Sequence, residues 1–176
     1  MINRKFIPVN IAVLTVSDTR TLENDRSGDV LAKYINDSGH FLKNREILKD
    51  DRAIISSKLT EWCKRDDIDV IITTGGTGLT GRDVSVEAHR DIYEKEIDAF
   101  ATMFTIISMK KIGTSAVQSR ACAGVAFGTY LFALPGSPGA CKDGWEEILK
   151  YQLDYTHKPC NFVEIMPRLD EDKKRK

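Results

Sequence analysis

Residues Val70-Ile71-Ile72-Thr73-Thr74-Gly75-Gly76-Thr77-Gly78 join a run of β-branched residues directly to a loop of glycine and threonine. The run reads as a buried strand. The glycines let backbone N–H groups approach a ligand and adopt positive φ. In open α/β sheets, a strand that ends in such a loop is where phosphates bind. Taken alone, the same glycines also suit a tight strand-to-helix turn.

The rest of the chain alternates in the same way. An apolar run over 10–16 predicts a first strand, and a polar loop, residues 17–26, follows it. A helix over 27–38 presents Val30, Leu31, Tyr34 and Ile35 on one face, with Gly39 at its C-terminal end. A second strand over 41–48 leads to a helix after Asp50-Asp51 with Ile54, Ile55, Leu59 and Trp62 as its apolar stripe. Beyond the glycine loop, 84–94 and 97–109 read as helices, with Ser85 a better cap than Asp83. Phe100, Met103, Phe104 and Ile107 on the second of these suit either the core or a partner subunit. Two strands, 121–126 and 129–134, turn at Phe127-Gly128, and a last helix covers 140–153. This order predicts a three-layer, doubly wound, mostly parallel sheet with one antiparallel strand. Residues 1–9 form an arm, 10–162 one domain and 163–176 a charged tail, whose end from Asp170 is expected to be solvated and disordered.

Composition excludes several function classes. Lys+Arg and Asp+Glu both number 26, so no basic excess points to nucleic acid or an anionic membrane. No apolar run approaches the roughly 20 residues of a bilayer span, and the start Met1-Ile2-Asn3-Arg4-Lys5-Phe6 lacks a signal-peptide core. A cytoplasmic setting follows, with Cys63, Cys122, Cys141 and Cys160 as buried free thiols. His40, His89 and His157 have no partner in a triad or metal motif and read as structural or surface residues.

The loop Gly75 to Asp83 nearly spells a P-loop, with Gly76 and Gly81 correctly spaced. Arg82 and Asp83 stand where the phosphate-binding Lys and the Mg²⁺-binding hydroxyl belong. A generic NTPase is therefore disfavoured. A second loop, Pro135-Gly136-Ser137-Pro138-Gly139, also follows a strand, and Ser137 can cap the next helix with Pro138 at its first position. Two such loops can converge on one crevice. Asp18, Asp50-Asp51 and Asp83 follow the first three strand ends. Clustered there, they suit Mg²⁺, although Asp50 or Asp51 can instead cap a helix. The stretch Gly113 to Arg120 is either a solvated connector or a loop for an anionic, hydrogen-bonding substrate.

Together these segments resemble the MoaB/MogA family of molybdenum-cofactor biosynthesis proteins. The resemblance runs from Asn10 to Phe162. It rests on Thr73 to Gly78, Asp83-Val84-Ser85-Val86-Glu87-Ala88 and Leu134-Pro135-Gly136-Ser137. Gly113-Thr114-Ser115, Gln118-Ser119-Arg120-Ala121 and Lys158-Pro159-Cys160-Asn161-Phe162 favour the MoaB branch. The resemblance implies a molybdopterin-binding domain that assembles as a homotrimer or higher oligomer and works beside other molybdenum-cofactor enzymes. Active members adenylylate molybdopterin with ATP and Mg²⁺. Asp50 and Asp83 correspond to the catalytic, metal-binding acids, with Asp51 the alternative register for Asp50. Ser17, Asp18, Gly75, Gly76, Thr77, Gly78, Pro135, Gly136 and Ser137 would bind the nucleotide, and Ser115, Ser119 and Arg120 would lie toward the pterin. Members of the MoaB branch are not uniformly active, so a non-catalytic pterin-binding or partner-binding oligomer is the alternative.

Overall fold

A computed structural model describes residues 4–174; Met1–Asn3 of the arm and Arg175–Lys176 of the tail lie outside the described residues. The chain runs β1 (Asn10–Val16), α1 (Arg26–Asp37), β2 (Phe41–Leu48), α2 (Arg52–Cys63), β3 (Val70–Thr74), α3 (Ser85–Arg90), β4 (Lys95–Glu96), α4 (Asp98–Ile112), β5 (Cys122–Ala126), β6 (Thr129–Leu134) and α5 (Pro138–Gly144). Past Gly144, α5 continues through a π-wound turn, Trp145–Leu149, into Lys150–Gln152. The strands form one sheet in the order β2-β1-β3-β6-β5-β4. All neighbours are parallel except at β5, which runs against both β6 and β4. The predicted doubly wound sheet with one reversed strand is the fold observed.

Helices cover both faces, which is why β3 and β6 are buried throughout. On one face Ile11, Val13, Ile72 and Phe132 pack with Leu31 and Ile35 of α1, Phe100 and Phe104 of α4, and Trp145. On the other, Ala12, Leu14, Ile71 and Leu131 pack with Ile55, Leu59 and Trp62 of α2 and Ala88 of α3. The chain leaves β1 through α1 to β2, then returns through α2 to β3 on the other side of β1. That reversal opens a crevice at the carboxyl ends of β1 and β3, the usual ligand position in such sheets.

Several sequence expectations are corrected. The helix expected over 84–94 stops at Arg90, because Glu94 N–H bonds to Val125 O at 2.8 Å and Ile97 N–H to Ala123 O at 2.7 Å, drawing the segment into the sheet as β4. Ile54 is half exposed; with α2 capped at Asp51, Ile55, Leu59, Trp62 and Cys63 point inward instead. Phe100 and Phe104 belong to the core, so they face no partner, while Met103 is exposed. Glu171–Lys174 is helical rather than a free tail, held by a Lys173–Glu94 ion pair and by Lys173 over the Phe127 ring. Cys160 is exposed; Cys63, Cys122 and Cys141 are buried free thiols as expected.

Asp25, in the loop before α1, is fully buried. Its carboxylate caps α1 by accepting the Gly28 N–H at 3.0 Å. It also accepts the Thr15 hydroxyl of β1 at 2.7 Å and Arg45 Nη2 of β2 at 3.0 Å. Burial alone would raise its pKa. The bonds from Thr15, Gly28 and Arg45, with the Arg45 charge, outweigh this and hold it below the ordinary 3.8. A carboxylate depressed in the folded state stabilises fully above its unfolded pKa and loses that contribution as pH falls through the folded value. Urea denaturation of Asp25→Asn at pH 7 should show a loss of about 2–4 kcal/mol, since Arg45 loses its buried charged partner and keeps Asp29 and the main-chain carbonyl of residue 25. The gap to wild type should narrow below about pH 4.

Candidate functional site

Three strand ends meet in the crevice without side chains between them. After β3, Gly75 and Gly76 hold φ of 101° and 62°. A Cβ on Gly75 would come within 2.2 Å of Val16 O, and one on Gly76 within 2.9 Å of Asp50 Oδ1. After β6, the second loop is tied to the first. Gly75 N–H donates to Leu134 O at 3.0 Å and the Thr74 hydroxyl to Pro135 O at 3.1 Å. A Cβ on Gly136 would lie 3.0 Å from Gly75 Cα. The expected convergence of the two loops is therefore present. It encloses a pocket of about 230 Å³ lined by Val16, Ser17, Arg20, Asp50, Gly75, Gly76 and Gly136 among others.

Other residues fix these loops. Ser17 Oγ accepts the backbone N–H groups of Thr19 and Arg20, which shapes the turn after β1. The Ser27 hydroxyl and Arg20 Nη2 both donate to Gly136 O, at 3.0 and 3.2 Å. Ser137 caps α5 through the Ala140 N–H, with Pro138 in the first turn, as its sequence position predicts. Ser85 is not the cap expected of it. Its hydroxyl instead donates to Gly75 O at 2.7 Å, pinning the start of α3 to the glycine loop. Arg20, Ser27 and Ser85 carry no motif that separates them from ordinary loop and helix-start residues.

The carboxylates divide. Asp51 caps α2 by accepting the Ile54 N–H at 2.9 Å, which leaves Asp50 to line the pocket. The Asp50 N–H donates to Asp18 Oδ1 at 3.3 Å, so the ends of β1 and β2 are in contact. Asp83 accepts the Thr80 N–H and hydroxyl at 2.9 and 2.6 Å. The Asp50 carboxyl is raised above its ordinary pKa, first by burial and then by the negative charge of Asp83. Asp83 is held below its own, chiefly by the Thr80 hydroxyl; partial burial opposes this, and the Thr80 and Gly78 N–H groups and the Arg120 charge add to it. Among the described residues, no three His, Cys, Asp or Glu side chains are grouped to hold a metal. Two repelling carboxylates beside a side-chain-free cradle nevertheless fit Mg²⁺, which uses one or two carboxylates and completes its shell with water and substrate phosphates.

The segment expected to face the pterin is split by the structure. Gly113–Gln118 is a 3-10 helix, and Ser115 on it is exposed. Arg120 is engaged by the protein at several points. Its Nε donates to Thr77 O and Gly78 O, both at 3.0 Å, and its guanidinium pairs with Glu87 at 2.5 Å. It braces the glycine loop from behind, where Thr77 is buried. Ser119 lines a second cavity of about 410 Å³, with Phe104, Lys111, Pro135, Ser137 and Lys142. Pro135 and Ser137 thus border that cavity while neighbouring Gly136 borders the smaller pocket.

Nucleophilic side chains are withheld. Burial pushes the Cys63 thiol up to about 12 and those of Cys122 and Cys141 to about 11. His89 is buried between Thr73 Oγ1 at 2.8 Å and the Tyr93 hydroxyl at 3.0 Å, and burial pushes it down to about 3. It is a neutral structural residue.

Residues 12–155 match the family model described as "Probable molybdopterin binding domain". The chain is 43% identical over 161 residues to molybdenum cofactor biosynthesis protein B of Escherichia coli K12, covering 92% of this chain and 95% of that one. A crystal structure of a molybdenum cofactor biosynthesis protein B superposes with a TM-score of 0.86 at 34% identity, covering 96% of this chain and 99% of the other. The tungsten cofactor synthesizing protein MoaB of Pyrococcus furiosus superposes at 0.72 with 32% identity, covering 81% of this chain and 91% of that one. No helix among the described residues is long and apolar enough to cross a membrane.

The close approach at Gly75 and the open surroundings of Gly81 set a contrast. Gly75→Ala should destabilise the protein by about 2–4 kcal/mol, from positive φ and the collision with Val16 O. Gly81→Ala, with no atom within 4 Å of the new methyl, should stay within about 0.5 kcal/mol of wild type. Denaturant midpoints of the two variants measure the difference.

Proposed function

The chain belongs to the molybdenum-cofactor biosynthesis family that carries the molybdopterin-binding domain, and from that premise we propose that it binds molybdopterin and adenylylates it with ATP. The observation that carries this reading is the glycine-lined pocket at the switch point of the sheet, with Asp50 on its wall and Asp83 beside it. Glycine backbone at strand ends suits phosphate, and paired carboxylates suit the cation that travels with it.

In the proposed reaction an oxygen of the pterin's own phosphate forms a bond to the α-phosphorus of ATP. The bond from that phosphorus to the bridging oxygen breaks, and its electron pair leaves with pyrophosphate. The attacking phosphate is ionised at neutral pH, so no protein nucleophile or general base is needed. That agrees with the protonated thiols and neutral His89. What the chain must supply is position and charge stabilisation. Backbone at Gly75, Gly76 and Gly136 would hold the phosphates. Mg²⁺ bound by Asp50 and Asp83 would neutralise phosphate charge and orient the α-phosphate. The neighbouring cavity supports the second substrate, since Ser119, Ser137 and Lys142 line it with hydrogen-bonding groups and positive charge, while Lys111 is paired there with Asp143.

A homo-oligomer is part of the proposal. Met103, Ile106, Met109 and Ile112 leave half of each side chain exposed on α4, and Val117 is 81% exposed just beyond it. So much apolar surface on one stretch suits a subunit contact. Light scattering should give a multiple of the chain mass; a monomer would remove this part.

Incubation with molybdopterin, ATP and Mg²⁺ should yield the adenylylated pterin and pyrophosphate. Asp83→Asn should lower turnover by about 100-fold while molybdopterin affinity stays within about twofold. Tight pterin binding without product, under conditions where a catalytically active relative works, would reduce the protein to a pterin carrier.

A further inference from the structure

We propose that Arg82 is the residue that binds the departing pyrophosphate, released from Asp18 to do so; this rests on the nucleotidyl transfer proposed above. The transfer creates negative charge on the bridging oxygen and frees a highly charged anion. Asp50 lines the pocket with Asp18 and Asp83 beside it, and the cation in the lining, Arg20, is already bonded to Gly136 O, so the anion calls for a further cation.

Most arginines near the crevice are already engaged at several points. Arg120 holds Thr77 O, Gly78 O and Glu87. Arg45 holds Asp25 and Asp29, and Arg20 holds Gly136 O and Ser27. Each of these bonds would be lost if the guanidinium turned to a ligand. Arg82 differs. Its partner is the single carboxylate of Asp18, and 69% of its side chain is exposed.

Its place in the chain suits the role. Arg82 directly precedes Asp83, and it reaches from the glycine loop across to the loop after β1. There Asp18 accepts the Asp50 N–H with its other oxygen. The bridge therefore ends at the carboxylate cluster. Through its Asp18 end it borders a second open groove of about 420 Å³, which shares Ser17 and Arg20 with the phosphate pocket and adds Arg45 and Lys49. The segment that carries Arg82 is open to solvent. Leu79 is 68% exposed, and Gly81 has no neighbour within 4 Å of a built Cβ. A guanidinium forks two N–H groups toward phosphate, and a Mg²⁺-bound pyrophosphate offers more acceptor charge than one aspartate. Arg82 thus takes the task of the P-loop lysine from the same loop position.

Titration calorimetry with Mg²⁺-pyrophosphate and, separately, with AMP tests the assignment on the full chain. Arg82→Ala should weaken Mg²⁺-pyrophosphate binding by about tenfold or more and leave AMP within about twofold. Arg82→Lys should recover part of the affinity, because it keeps the charge and loses the fork. In the adenylylation assay, Arg82→Ala should raise the KM for ATP and lower kcat, with the KM for molybdopterin unchanged. Pyrophosphate affinity within twofold of wild type in Arg82→Ala would overturn the assignment, as would a wild type that binds no Mg²⁺-pyrophosphate. If adenylylated product forms while either result holds, Arg82 alone is misassigned. If pyrophosphate binds through Arg82 and no product ever forms, the transfer reading fails and the anion site stands. Arg82 is exposed, so the variants should melt with wild type.

Discussion

Backbone packed against backbone at the carboxyl end of the sheet is the constraint on which the site depends. Gly75 lies so close to Val16 O that a methyl group has no room there, and one on Gly136 would press on Gly75 Cα at 3.0 Å. This contact sets how near the ends of β1, β3 and β6 can come. It also leaves a pocket in which the backbone of both glycine loops lies beside Ser17, Arg20 and Asp50, and glycine backbone of this kind suits phosphate. The bonds of Ser85, Thr74, Ser27 and Arg20 to the loop carbonyls all hold this arrangement in place. A larger residue at Gly75 would separate those partners together, so the loss would not stay local.

The electrostatics follow from that packing. Gly76 has no side chain, which lets Asp50 sit against the loop, half-buried and close enough to feel Asp83. Asp83 is satisfied by its own loop and stays ionised, while Asp50 is left with an unrelieved neighbouring charge. Such a pair has two ways to lower its energy, a proton on Asp50 or a cation between the carboxylates. The absence of a third ligand among the described residues matters here. On the proposed reading, water and the nucleotide's phosphates would complete the shell of a cation held by the two carboxylates.

Much of the fold was legible because its signals are local. The runs of β1 and β3, the turn at Phe127-Gly128 with φ of 52° and 81°, and the cap at Ser137 each follow from a few adjacent residues. What was not legible depends on distant partners. The strand Lys95–Glu96 has no apolar period; it exists because β5 presents a free edge. Arg120 stands in a small, polar stretch, and its bonds to Glu87 and the loop carbonyls come from residues more than 30 positions away. Asp25 looks like any acid in a polar loop, yet Thr15 and Arg45 close over it from two strands. The choice between Asp50 and Asp51 belongs to the same class. Two adjacent aspartates are equivalent in sequence, and only the direction in which α2 starts gives one the cap and the other the pocket.

The same distinction separates the charged residues around the crevice by what they can do. A group held by several protein partners is fixed before any ligand arrives, which suits shaping a pocket and costs little reorganisation during reaction. Asp25, Arg45 and Arg120 are of this kind, and all three sit behind the loops rather than in the pocket. A group with one exposed partner can change partners, which suits an anion that is present only in part of a reaction cycle. The Asp18–Arg82 bridge is of this second kind, and it spans from the glycine loop to the loop after β1. Sequence position alone puts Arg82 and Arg120 in similar small, polar segments. Their partners separate them, one as scaffold and one with a single exposed ion pair, and the proposed transfer would use both.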